Sequence, residues 1–450
     1  MTNKLQPESS ETQAQADVTT AHCHELERPL KGLSRRSLLK SMATTAVVVL
    51  SPSLVSAHGN AQSGLAERQG GSGFPSPAKN PAWYGFNLLE YFSTDPDWMK
   101  YFPYKDDGMF LEDDFRWMRD WGFNFVRLPM DYRFWTDPND LMKINEKKVE
   151  PIDRAIRLGE KYGIHVNICL HRAPGECILD GMDEALTGIH ITEEKTSVYD
   201  DPHTLEAFVH QWTYFAQRYR GTRNERLSFN LVNEPRVRPT AAETAELKSH
   251  KPNDAFSREI NERHQLQYVR VARSAIDGIR THDPQRWIIT DGYQGGVAAI
   301  PDLIDTGILH SCHTYHPVQL THYQCEWARG FVSSDTPLPT WPLKDREGHV
   351  IDRAALAALF RPWGDLARRG VRIHFGELGS YKHTPPQVVL AWFNDTLDVI
   401  AELDSGWALW NFRGPVGILD TERPGTKYEN WHGHQLDRPL LNLLQRKMKL

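Results

Sequence analysis

The chain has 450 residues, 40% of them hydrophobic and 24% charged, with a formal net charge of −6. That is enough apolar material for one large core, and a modest acidic balance with no basic tract outside the N-terminal segment excludes a nucleic-acid binder. Five cysteines without metal-site spacing exclude a zinc module and a disulfide scaffold.

In chain order, the first segment reads as an address. Ser34-Arg35-Arg36-Ser37-Leu38-Leu39-Lys40 is a twin-arginine block, Met42 to Val55 is mildly apolar, and Val55-Ser56-Ala57 supplies small residues for a signal peptidase. Residues 1–57 are therefore expected to be an export signal cleaved after Ala57. The apolar stretch is too short and too diluted by Ser, Thr and Ala to serve as a membrane anchor. Residues 58–80, rich in Gly, Ser, Gln and Pro, read as a flexible linker, and residues 81–450 as one domain. The mature protein is expected in the periplasm or outside the cell, with no membrane or nucleic-acid partner.

From residue 82 onward, strand-like and helix-like segments alternate. Expected strands are Trp83 to Leu88, Asn124 to Pro129, Ile164 to His171, Leu227 to Glu234, Trp287 to Asp291, Ile308 to Tyr315, Val371 to Glu377 and Trp407 to Phe412. Expected helices lie near Phe110 to Trp121, Lys148 to Tyr162 (stopped by Gly163), Pro202 to Tyr219, Ser257 to Arg280, Asp352 to Arg369, Pro386 to Leu403 and Leu436 to Met448. Residues 293–307 leave room for only a short helix. The pattern predicts a (β/α)8 TIM barrel; an open doubly wound sheet would bring a Gly-rich phosphate turn, which is missing. Connections 172–200, 235–256 and 316–350 are long, follow strands, and are expected to wall a cleft on the catalytic face.

At period two, the side chains aimed into the barrel would include Phe125 and Arg127; Asn167, Cys169 and His171; Ser311, His313 and Tyr315; Ile373, Phe375 and Glu377; and Ala408 and Trp410. Their polar and aromatic members come last on their strands, at the rim where barrels carry chemistry. Glu234 and Glu377 each end a short apolar run. Two carboxyls on separate strand tips suit hydrolysis of a glycosidic bond, where one gives a proton and the other stays ionised. Asn233 and Glu234 are adjacent, so a regular strand cannot aim both inward, and a bulge is expected at that tip.

With Arg127, His171, Asn233-Glu234-Pro235, His313-Thr314-Tyr315, Glu377 and Trp410 in this order on six predicted strands, the chain resembles a family 5 glycoside hydrolase, the cellulase-type retaining enzymes. The resemblance spans residues 82–420. It implies Glu234 as acid/base and Glu377 as nucleophile, with Arg127 and Tyr315 keeping Glu377 ionised. It further implies Asn233 donating to a sugar hydroxyl, His171 and His313 binding hydroxyls or orienting Glu234, and Trp410 as the floor under a sugar. The expected partner is a β-linked oligo- or polysaccharide, with no cofactor and no metal. A β-glucan or related hemicellulose is the expected substrate, endoglucanase-like, with β-mannan, β-1,3-glucan and small β-glucosides as alternatives, and a non-catalytic carbohydrate-binding protein as the reading from another class.

Other features have ordinary alternatives. His310 and His316 would face away from His313 by strand alternation, so the three do not suggest a metal site. Trp135, Trp327 and Trp341 fall in loops and are as much candidates for sugar stacking as for packing. Asn411-Phe412-Arg413-Gly414 could line the cleft or form a structural turn. Cys169 and Cys312 are expected as buried thiols, while Cys177 and Cys325 lie in loops and could pair after export.

Overall fold

Each buried apolar run expected to be a strand is one. The structure, a computed structural model, describes residues 82–102, 109–178, 189–251, 254–330, 332 and 334–448; the signal and linker expected over residues 1–80 lie outside them. The barrel strands are β1 (Tyr84–Asn87), β2 (Phe125–Asp131), β3 (His165–Ala173), β4 (Leu227–Asn230), β5 (Trp287–Asp291), β6 (Leu309–Thr314), β7 (Ile373–Leu378) and β8 (Trp407–Leu409). All eight pair in parallel, in the ring order β2-β1-β8-β7-β6-β5-β4-β3, and β3 pairs with β2 to close the circle. Closure leaves no edge among these strands, and it brings all eight carboxyl ends to one mouth.

The surrounding helices are α1 (Glu112–Asp120), α2 (Glu146–Tyr162), α3 (Pro202–Arg218), α4 (Ala255–His282), α5 (Arg353–Leu359), α6 (Arg361–Arg368), α7 (Pro386–Glu402) and α8 (Arg438–Lys447). Their ends follow local chemistry. Gly163 closes α2 in the left-handed conformation, while the Asp201 carboxylate accepts from the Thr204 N–H at 2.7 Å to start α3, with Pro202 in the first turn. The single helix expected near 352–369 is two, broken at Phe360, where Pro362 opens α6 because it has no N–H to continue α5. Between β5 and β6 the chain fits a short 3-10 turn, Pro301–Thr306, within the narrow space expected there.

The apolar residues form three bodies. The largest lies between barrel and helices and includes Phe86, Leu128, Phe229, Phe375 and Trp392. A small plug of Trp83, Phe125, Ile289, Leu309 and Ala408 fills the bottom of the lumen. A third cluster, containing Phe92, Trp98, Trp327 and Trp410, sits at the mouth. Polar side chains occupy the lumen between the plug and the mouth, so the plug is their dry floor and they are held in low dielectric.

Candidate active site

Arg127 on β2 is the hub of that polar layer, with only 1% of its surface exposed. Its Nη1 donates to Glu377 Oε1 at 2.6 Å and to Asn87 Oδ1 at 3.0 Å; its Nη2 donates to Asn233 Oδ1 at 2.9 Å and Asp291 Oδ2 at 3.1 Å; its Nε donates to Asn230 Oδ1 at 2.9 Å. One always-charged guanidinium thus ties together side chains from β1, β4, β5 and β7. It also sets the Asn233 amide: the oxygen faces Arg127, and Nδ2 is left buried without a partner, a donor free for a ligand hydroxyl.

Glu377 reaches the lumen through a bulge. On β7, Phe375 pairs with Cys312 of β6 but Glu377 pairs with His313, so Gly376 is an extra residue. A Cβ on Gly376 would lie 2.4 Å from Ser311 Oγ, which explains the glycine. This corrects the inward set Ile373, Phe375 and Glu377. Ile373 and Phe375 belong to the outer core, with the Phe375 ring 4.9 Å from Phe360. His374 points inward instead, its ring 4.7 Å from Phe125. Strict alternation would have put Glu377 outside; the extra residue returns it. Its Oε2 accepts from the Tyr315 hydroxyl at 2.9 Å. Burial raises the proton affinity of Glu377, opposed by His313 and Arg127, and the net direction is upward. Arg127 favours the ionised form, in the expected direction, while desolvation, the larger effect, works against it.

β4 ends at Asn230, four residues before the expected Glu234. Beyond it the backbone leaves the regular ladder: Leu231 N bonds Ile289 O at 3.0 Å, and Asn233 N bonds Leu170 O at 2.9 Å. Glu234 then adopts φ +47°, the left-handed region, which costs a non-glycine residue about 1–2 kcal/mol. That twist, rather than a bulge, turns two adjacent side chains toward the same space. The Glu234 N–H donates to Asp291 Oδ2 at 3.2 Å, holding the tip in place.

His313 lies between the two glutamates. Its Nδ1 is 2.8 Å from Glu234 Oε1 and 3.6 Å from Glu377 Oε1, and its Nε2 is 3.3 Å from Asp291 Oδ2. Burial by itself would lower the imidazole, but Asp291 and Glu377 outweigh it and hold His313 up, to about 10. Asp291 is itself fully buried. Desolvation pushes its carboxyl up, yet His313 and Arg127 pull it well below the usual range. The result is a cation oriented by Asp291 and set between Glu234 and Glu377. Ligand atoms of Glu234, His313 and Glu377 all lie within 4.8 Å of one another.

The family comparison bears on the same segment. The family description cellulase (glycosyl hydrolase family 5) matches residues 78–414. The chain belongs to glycosyl hydrolase family 5. Endoglucanase C of Acetivibrio thermocellus is 21% identical over 330 residues, which cover 68% of this chain and 85% of that protein. Cellodextrinase A of Ruminococcus flavefaciens is 25% identical over 292 residues, covering 64% of this chain and 74% of its own. A crystal structure described as that of a glycoside hydrolase is 34% identical with a TM-score of 0.68, spanning 82% of this chain and 100% of that one. This family 5 member is a cellulase-type glycoside hydrolase.

Of the eight site residues expected from sequence in this family 5 chain, Arg127, Asn233, Glu234, His313, Tyr315 and Glu377 form one hydrogen-bonded group. His171 and Trp410 lie beside it, with ring centroids 5.6 Å apart, and both pack on Phe92. Burial and the nearby Arg127 and His313 keep His171 neutral, well below its ordinary value. His313, rather than His171, contacts Glu234. Asp291 was missed as a site residue. Its signal was an acidic residue closing the apolar run Trp287-Ile288-Ile289-Thr290, the same pattern that singled out the glutamates.

Three features that the sequence leaves open are decided by the tertiary structure. Trp135 is 1% exposed and donates to Gln211 of α3, while Trp341 donates to Asp395 of α7. Trp327 is buried among Trp98, Tyr101 and Phe102. All three are packing residues, because a loop position says nothing about which way the ring is folded. Arg413 pairs with Asp114 of α1 and lies over Trp117, so its turn fastens the exit of β8 to a helix. Cys177 and Cys325 both lie in the cluster at the mouth with no disulfide between them; apolar burial raises Cys325 well above its usual value and keeps it as a thiol. His310 is buried with neither ring nitrogen hydrogen-bonded, on the opposite side of β6 from His313.

Proposed function

We propose that this protein hydrolyses β-linked glucan with retention of configuration, Glu377 acting as nucleophile and Glu234 as acid and then base. The observation that carries the reading is the separation of the two carboxyls, whose oxygens come within 4.8 Å. Retaining glycosidases hold these groups about 5–5.5 Å apart, whereas inverting enzymes leave about 6.5–9.5 Å for a water molecule. The hydrogen bonds divide the roles. Both oxygens of Glu377 accept bonds, from Arg127 and Tyr315, which aims one lone pair at a fixed point. Glu234 is the more open, with 16% of its side chain exposed against 4% for Glu377, and it flanks the path of a leaving group.

In the first step a Glu377 oxygen bonds to the anomeric carbon while the bond to the bridging oxygen breaks and Glu234 delivers a proton to that oxygen. In the second, water gives its proton to Glu234 and its oxygen to the anomeric carbon, and the ester to Glu377 breaks. The unpaired Asn233 Nδ2 supports a donor role toward a ring hydroxyl. Trp410 and His171 support an apolar and neutral polar lining beside it. Incubation with purified β-1,4-glucan, β-1,3-glucan, β-mannan and aryl β-glycosides, read by NMR of the first-formed anomer, tests the assignment. We expect cleavage of a β-glucan with the β-anomer appearing first; an initial α-anomer would refute retention.

The pH profile reports on Tyr315. Its hydroxyl donates to the charged form of Glu377, so removing it raises the proton affinity of the carboxyl still further. Tyr315→Phe is therefore expected to move the acid limb of kcat/KM to higher pH, so that the rate falls more on the acid side than at the optimum. A uniform loss across the profile would assign the hydroxyl to substrate binding instead.

A further inference from the structure

We propose that this enzyme holds a single sugar on the glycon side of the cleavage point. It then removes terminal residues from the non-reducing ends of β-oligosaccharides and does not cut within long chains. This rests on the roles assigned above to Glu234 and Glu377. In a retaining enzyme the sugar that becomes bonded to the nucleophile is the glycon, and the sugar that departs leaves past the acid. The glycon therefore lies over Glu377, Tyr315 and Trp410, and the aglycon beyond Glu234.

The two sides of the mouth are built differently. The third apolar cluster draws residues from the connections after β1, β3, β6 and β7 and from the tip of β8. Among the described residues, the connections after β2, β4 and β5 contribute none to it, but the one after β2 is fastened to the cluster's base where Arg133 pairs with Asp95 of the connection after β1. In ring order this is an arc open at β4 and β5, the side of Glu234. The arc is closed by ring contacts between elements far apart in the barrel. Trp327, from the connection after β6, lies 5.2 Å from Phe102 and 5.9 Å from Trp98 of the connection after β1. It is also 4.8 Å from Tyr381, after β7. Phe92 and Phe102 in turn stand 5.3 and 6.2 Å from Trp410. Tyr315, the donor to Glu377, packs against the same body, so the wall begins directly beside the nucleophile.

Buried charges brace it. Asp95 accepts from Arg133 at 2.9 Å and lies 3.4 Å from Arg172, while Arg172 donates to Glu194 at 2.8 Å. These pairs tie the connection after β1 to β3 and to the connection that follows it. A second glycon sugar would have to displace packed aromatic rings and uncover these charges, which is costly on both counts. An internal-cutting cleft needs open groove on both sides of the acid pair, and here only the Glu234 side provides it. The connection after β4 carries a short helix, Ala241–Leu247, with no buried residue, so nothing on that helix is packed across the exit.

The test follows the first product. Cello-, laminari- and manno-oligosaccharides of three to six residues, labelled at the reducing end, and the 4-nitrophenyl β-glucoside and β-cellobioside are incubated with the full chain. We expect a monosaccharide first, the label in a chain one residue shorter, and glucose released from the cellobioside before nitrophenol. Direct release of cellobiose and nitrophenol, or labelled products shortened by two or more residues at once, would overturn the single-sugar assignment while leaving hydrolysis intact. Cleavage of none of these substrates would overturn the hydrolase assignment itself, and this inference with it. Trp327→Ala thins the wall without touching the acid pair. It is expected to raise direct cellobiose release relative to glucose release by about tenfold; an unchanged ratio in the folded variant counts against the wall.

Discussion

Glu377→Ala is expected to lose at least about a thousandfold in kcat while keeping its fold. The side chain does no structural work that the barrel cannot replace: Arg127 retains Asn87, Asn230, Asn233 and Asp291 as acceptors, and the bulge at Gly376 is set by backbone pairing with β6. The chemistry has no substitute, because no other carboxylate in the lumen occupies that position. Asp291 is committed to Arg127 and Asn230, and Glu234 is held by His313. Truncation opens a small space beside the anomeric carbon, where added azide should attack and restore product of inverted configuration. Near wild-type turnover in the folded variant would remove Glu377 from the role; circular dichroism and thermal melting establish the fold.

Glu234→Ala is expected to show a loss that depends on the leaving group. Proton donation contributes about 10²–10⁴-fold where the departing oxygen is strongly basic, and little where it is a nitrophenolate. Natural glycans should therefore lose rate by that full factor in the first step, and 4-nitrophenyl glycosides much less. For the aryl substrates the second step becomes limiting, since the same residue activates water, and the glycosyl-enzyme accumulates as a burst of nitrophenol. Equal losses on both kinds of substrate would undermine the acid assignment. The left-handed backbone of Glu234 gives this variant no large stability cost of its own, because alanine tolerates that conformation about as poorly as glutamate does.

Much of this molecule was legible locally. Alternating apolar runs and helical periods located all eight strands, since a strand that is buried on both faces must be apolar whatever surrounds it. Gly163 and Pro202 marked helix ends through backbone freedom and a missing N–H, which are properties of the residue itself. Glu234 and Glu377 stood out because a carboxyl closing an apolar run has to be explained by something beyond packing. The same argument applies to Asp291, which closes the run Trp287-Ile288-Ile289-Thr290.

The sequence by itself determined the barrel and its order of elements, and it singled out Glu234 and Glu377 as carboxyls closing apolar runs, because those follow from which residues can be buried and which cannot. The tertiary structure alone decided where those side chains point. Gly376 becomes an extra residue only when β7 is laid against β6, so Phe375 faces out and Glu377 faces in. Glu234 turns inward through a left-handed backbone angle that Asp291 of another strand holds in place. Trp135, Trp327 and Trp341 are packed rather than exposed because distant elements close over them. Side-chain direction and burial depend on pairing register and on contacts between residues remote in the chain, and neither is encoded at any single position.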